Sequence, residues 1–156
     1  LKFSKSHWIN LAMIAALLAT AVAGHYFSPL LLPEGDVAGV VEPGCDLQKQ
    51  ACTATLPLGQ HLVFSVTPRP IPFLQPLRVE ATVTGVEPTK VEVDFAGESM
   101  NMGYNRSELA ATGPGRYAST ISLPVCVSGG MTWVATVIIA TGQQRITVPF
   151  RFDTGH

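Results

Sequence analysis

The chain has 156 residues, which suits one ordinary domain with a short extra element. Hydrophobic residues make up 47% and charged residues 13%, a balance that excludes a disordered chain. A formal net charge of −1 excludes a general nucleic-acid binder, so no nucleic-acid partner is expected.

The apolar excess is concentrated at the start. Lys2 and Lys5 precede a run from Trp8 to Gly24, followed by His25, Tyr26 and Phe27, and no acid occurs before Glu34. A bilayer core needs about 20 mostly apolar helical residues, and Trp8 to Phe27 supplies them. Trp8 and Tyr26 suit the two aromatic belts, and the lysines assign the N-terminus to the cytoplasm. Residues 1–32 are therefore expected to be a cytoplasmic tip and a single-pass anchor in an inner (cytoplasmic) membrane. The remainder would be periplasmic and the lipid bilayer a first partner. Ala21-Val22-Ala23 also fits the cleavage site of a signal peptide, but the hydrophobic length favours the anchor.

Residues 33–44 read as a linker, because their prolines, glycines and acids carry no periodicity. Residues 45–156 then show strand periodicity. His61 to Thr67 is one strand. Arg78 to Thr84 sets Val79, Ala81 and Val83 inward, and Lys90 to Phe95 does the same with Val91, Val93 and Phe95. Arg116 to Leu123 and Thr132 to Ala140 are two more, and Arg145 to Phe152 places Ile146, Val148, Phe150 and Phe152 on one face. Gly- and Pro-rich turns separate these runs. The pattern predicts a mainly β fold, an immunoglobulin/cupredoxin-like β-sandwich preceded by one transmembrane helix. The Pro-rich stretch 68–76 cannot occupy a central strand and is expected to cross between sheets.

All three cysteines follow the apolar segment. Cys45 and Cys52 are close neighbours, and in an oxidising compartment such a pair forms a disulfide. A metal-binding pair is the alternative, though the gap is unlike that of structural zinc sites. Cys126 is left over. Gly129-Gly130 predicts a tight hairpin after it, in which Ser128 faces Met131 and Cys126 faces Trp133. Cys126, Met131 and Trp133 would then emerge on one side of the sheet. Met100 and Met102, if extended, also share a side. Thioether and thiolate are soft donors that select Cu(I). The expected metal site is Met100, Met102, Cys126 and Met131 around Cu(I), with Trp133 beside it as a shield and π-face contact. The competing reading makes the same residues core fillers.

No nucleophile constellation, phosphate-cradling loop or blue-copper ligand set is present, so the chain is not expected to be an enzyme. His61 reads as an exposed strand residue. Asp94, Glu98 and Glu108 near the methionines would form a catalytic pair only by coincidence of folding.

The run Val93-Asp94-Phe95-Ala96-Gly97-Glu98-Ser99-Met100-Asn101-Met102-Gly103-Tyr104-Asn105-Arg106, with Leu123-Pro124-Val125-Cys126 and Met131-Thr132-Trp133, resembles the FixH/YtkA-like family of membrane-anchored exported proteins. The resemblance extends over most of residues 45–152 in layout. It implies an immunoglobulin-like domain on one membrane helix, in a setting of copper delivery and respiratory-oxidase assembly. Two functions follow. One is a Cu(I)-binding accessory or chaperone serving a respiratory oxidase or copper transporter. The other is a non-metal structural subunit of a larger membrane complex, for which Ala12, Ala15, Ala16, Ala19 and Ala23 would allow close helix packing.

Overall fold

A computed structural model describes residues 5–31, 35–100, 103–124, 130–142 and 144–155. The chain divides into two compact units between Glu34 and Gly35.

The first unit is one helix, α1 (Lys5–Leu31). Leu, Ala and Ile dominate it, with no proline before its last turn. Its Lys5–Phe27 stretch of 23 residues is long and apolar enough to cross a membrane, a property that membrane spans share with signal sequences. Every side chain from Lys5 to Phe27 is exposed, apolar ones included.

The second unit is a β-sandwich. Its strands are β1 (Gly35–Ala38), β2 (Val40–Val41), β3 (Cys52–Thr55), β4 (His61–Thr67), β5 (Pro76–Thr84), β6 (Lys90–Gly97), β7 (Arg106–Glu108), β8 (Ala110–Gly113), β9 (Arg116–Ser122), β10 (Met131–Ala140) and β11 (Gln144–Thr154). One sheet has the order β1-β11-β10-β6-β7 and the other β2-β3-β4-β5-β9-β8. The six runs expected as strands are β4, β5, β6, β9, β10 and β11, with ends moved by no more than two residues.

Alternation does what the pattern requires. Val91, Val93 and Phe95 of β6, Trp133, Ala135 and Val137 of β10, and Ile146, Val148 and Phe150 of β11 line the inner face of one sheet. Leu62, Phe64 and Val66 of β4 and Leu77, Val79, Ala81 and Val83 of β5 line the other. Phe64 stacks on Phe150 at 5.1 Å between ring centroids, joining the two layers.

Two local expectations are corrected. Residues 35–41, read as linker, form β1 and β2: β1 pairs in parallel with β11, and β2 pairs with β3. The chain changes sheets at Gly39, where a Cβ would lie 2.8 Å from Val148 Cγ2 and 3.1 Å from Leu56 Cδ2. Only a residue without a side chain passes so close to the core. The stretch 68–76 does not cross between sheets. Residues 68–75 join β4 to β5, which are antiparallel neighbours, and Pro76 opens β5 itself, at a first strand position where proline is tolerated.

The hairpin expected at Gly129-Gly130 falls on residues 125–129, which lie outside the described residues. β9 lies between β5 and β8 in one sheet, whereas β10 lies between β6 and β11 in the other. Trp133 is opposite Gly97 on one side and Phe152 on the other.

Phe150 lies in this stacked centre and is 1% exposed. Phe150→Ala should lower the unfolding free energy by about 3–5 kcal/mol, measured by urea titration of the detergent-solubilised chain.

Candidate soft-metal site and the adjoining cleft

Strand direction gives the sandwich two unlike ends. The domain begins at Gly35, opposite Gln144 at the start of β11, while Met131 is opposite Thr154 at its finish. The eleven residues of β11 span about 35 Å. The start of β10, the end of β6, the disulfide loop and the β4–β5 connection all gather at the Met131 end.

Met131 and Trp133, two residues apart on β10, share the inner face, 6% and 0% exposed. Gly97 is directly opposite Trp133, so a side chain there would point inward with it. The vacancy is filled from two directions. A Cβ on Gly97 would lie 2.8 Å from the Met131 methyl carbon, 3.1 Å from its sulfur and 2.6 Å from the Met100 carbonyl oxygen. Met100 is 42% exposed. A buried thioether and a surface methionine's backbone therefore meet at one α-carbon. Met102 and Cys126 lie outside the described residues. The Trp133 indole N–H has no hydrogen-bond partner among the described residues, although it is fully buried.

No family model matches this chain. No curated protein matches it, and no solved structure does.

Among the described residues no three His, Cys, Asp or Glu side chains form a group that could hold a metal. His61 is exposed at the opposite end of the sandwich from Met131. Each acid near the methionines faces a cation: Asp94 is 3.4 Å from Arg106, Glu98 is 3.2 Å from Arg151 and Glu108 is 3.6 Å from Lys90. Among the described residues, the soft donors at this end besides the disulfide are the sulfurs of Met131 and Met100.

Cys45 and Cys52 form the expected disulfide. Asp46 organises the loop between them. Its Oδ1 accepts the Gln48 N–H at 3.0 Å, and its carbonyl accepts the N–H groups of Lys49 and Gln50. Leu47 is fully buried in the core. Gln48 reaches out both ways: its Nε2 donates to the Asp153 carbonyl, and its Oε1 accepts the Ile71 N–H at 2.6 Å. Arg69 Nε donates to the Leu47 carbonyl at 3.3 Å. Between this loop, the β4–β5 connection and the end of β11 lies an open cleft of about 1040 Å³, lined by Lys49, Ile71, Phe73, Thr132, Arg151 and Asp153 among others.

Gly97 and Gln48 were missed by sequence reasoning. For Gly97 a signal existed: it continues the inward series of Val91, Val93 and Phe95, so a glycine there marks a space that another residue must fill. Gln48 carries no such signal, because its partners lie 23 and 105 residues away.

The Lys49 ammonium, and after it the Gln48 N–H, hold the Asp46 carboxyl below its ordinary value. A lowered folded value means that this carboxylate's contribution is present above the unfolded value and is lost as pH falls through the folded one. Protection of the Gln48 amide against exchange should therefore fall below about pH 4, and Asp46→Asn should remove that acid-dependent step.

Proposed function

We propose that this protein is a membrane-tethered, exported accessory module that holds Cu(I) at the Met131 end of its sandwich and passes it to a respiratory oxidase or copper transporter. The observation that carries the reading is the meeting of the Met131 thioether and the Met100 carbonyl at Gly97, which joins a buried soft donor to a surface loop bearing Met-x-Met. Met131 would supply a thioether from inside, and Met100 and Met102 would supply two from the loop, with Cys126 as thiolate. Soft donors of this kind retain Cu(I) in preference to hard cations, and thioethers do so without competing protons. Trp133 would form the dry floor below. A site that joins a buried donor, Met131, to an exposed one, Met100, suits exchange between partners, because the exposed sulfur can leave first. The apolar α1 would tether the module, with its lysine-bearing end cytoplasmic and the sandwich periplasmic. The likeness to the FixH/YtkA-like family supports the same setting.

A second reading draws on α1 itself. Ala12, Ala15, Ala16, Ala19 and Ala23 recur at helical spacing along a helix whose side chains are exposed. Such residues let helices approach closely in lipid, as in an accessory subunit of a larger membrane complex. Mild-detergent purification that recovers no membrane partner would count against this role.

For the metal reading, the full chain in detergent should bind one Cu(I) in competition with a chelator, with ascorbate rather than a thiol as reductant. Met100→Leu combined with Met102→Leu should weaken binding at least tenfold while nearly preserving stability, since the swap roughly conserves volume. Absence of stoichiometric Cu(I) binding by the unaltered chain would refute the proposal.

A further inference from the structure

The two sulfurs of the disulfide are placed unequally. Cys52 is on β3, opposite Phe64 of β4, and is 1% exposed within the core. Cys45 precedes the loop, is only partly buried and lines the cleft of about 1040 Å³. Both cysteines border a second, smaller cavity of about 190 Å³ on the Glu42–Gly44 side, so the inequality between them lies in their exposure and in the larger cleft. Thiol–disulfide exchange requires an incoming thiolate to reach one sulfur while the other leaves. At this disulfide Cys45 is the more accessible sulfur, since it alone of the pair lines the larger cleft while Cys52 is 1% exposed.

We propose that Cys45–Cys52 is an exchange site for a partner protein carrying a dithiol, and that it latches the adjoining cleft. The partner's thiolate attacks Cys45 Sγ, the S–S bond breaks, and Cys52 Sγ leaves with the electron pair and takes up a proton. The partner's second thiol then attacks the mixed disulfide and releases Cys45 as a thiol. Two electrons and two protons pass to this chain, and the partner dithiol becomes a disulfide.

The consequence follows from what the loop holds. Gln48 alone binds both the Ile71 N–H and the Asp153 carbonyl, so it spans the cleft from the β4–β5 connection to the end of β11. Its position depends on a loop closed at both ends: β3 secures Cys52, and the disulfide secures Cys45. Before Cys45 the last ladder contact is Glu42 N–H to the Thr53 carbonyl, and residues 42–44 are exposed. With the cross-link broken, the Cys45 side loses its cross-strand restraint, and the Gln48 bridge is left to its two hydrogen bonds and to the neighbouring Leu47, which is buried in the core and held by Arg69. Reduction therefore loosens one wall of the cleft while leaving the sandwich, whose core lies in β4, β5, β10 and β11, in place. This inference is independent of the metal reading, because neither cysteine belongs to the proposed copper donors.

The test uses the unaltered full chain in detergent, with dithiothreitol as the dithiol probe. After reduction, brief alkylation with a limiting reagent and peptide mapping should label Cys45 at least tenfold faster than Cys52. Hydrogen exchange in the same sample should show protection of the Gln48 and Ile71 amides falling at least tenfold, with the amides of β10 and β11 unchanged. Equal labelling of the two thiols would overturn the exchange geometry. Unaltered protection at Gln48 and Ile71, or loss of protection throughout β10 and β11, would overturn the latch.

Discussion

The double pairing of β10 governs the rest of the sandwich. At Trp133 both edges of the strand are occupied, by Gly97 and by Phe152. That row places a fully buried indole between a glycine and a phenylalanine, and the next inward row sets the small Ala135 between Phe95 and Phe150. Large and small side chains alternate across the sheet, so the rings interdigitate instead of colliding. Phe95 and Phe152 meet edge to face at 6.3 Å between centroids, and Phe150 carries the packing across to Phe64. With β10 saturated on both sides, the chain must pass from one sheet to the other between Ser122 and Met131.

Period-2 alternation was enough to find β4, β5, β6, β9, β10 and β11, because each is half-buried and long enough for the pattern to repeat. It failed for β1, β2, β3, β7 and β8, which have two to four residues each. Over so few positions alternation is indistinguishable from chance, and Gly39 and the flanking prolines imitate a linker. What makes β1 a strand is non-local: its parallel partner β11 is more than a hundred residues away. Pairing of that kind leaves no trace in local composition.

The candidate site was legible to a similar degree. Inward phase alone assigns Met131 and Trp133 to a common face. The role of Gly97 follows from the same phase once a glycine is read as a missing side chain. The adjacency of Met100 to Met131 depends on the pairing of β6 with β10, which sequence spacing does not contain. Met131 also shows why core filler and soft ligand are not exclusive descriptions. Its thioether fills the space above Gly97 by packing, and the atom that fills it is the sulfur's own methyl neighbour, so the lone pairs need no other partner to hold it there. A flexible, polarizable side chain is suited to both tasks.

The polarity of the sandwich links these features. The domain begins at the end of β11 that carries Gln144, and everything with chemical potential lies about 35 Å along that strand. Thr132, which lines the cleft, is flanked by Met131 and Trp133 in the chain, and its hydroxyl donates to Asp153 at 2.6 Å. Arg151 lines the same cleft and pairs with Glu98, one residue beyond Gly97. Two short connections therefore run from the cleft to the methionine pocket, one through β10 and one across the ion pair to β6. Gln48 joins the opposite wall to the backbone of Asp153. A change in the disulfide loop would thus be felt first at Asp153 and Thr132, next to the buried thioether, and least at the far end where the chain enters. The disulfide loop, Met131 and the Met100 carbonyl occupy one end of one domain, and the strand register is what places them together.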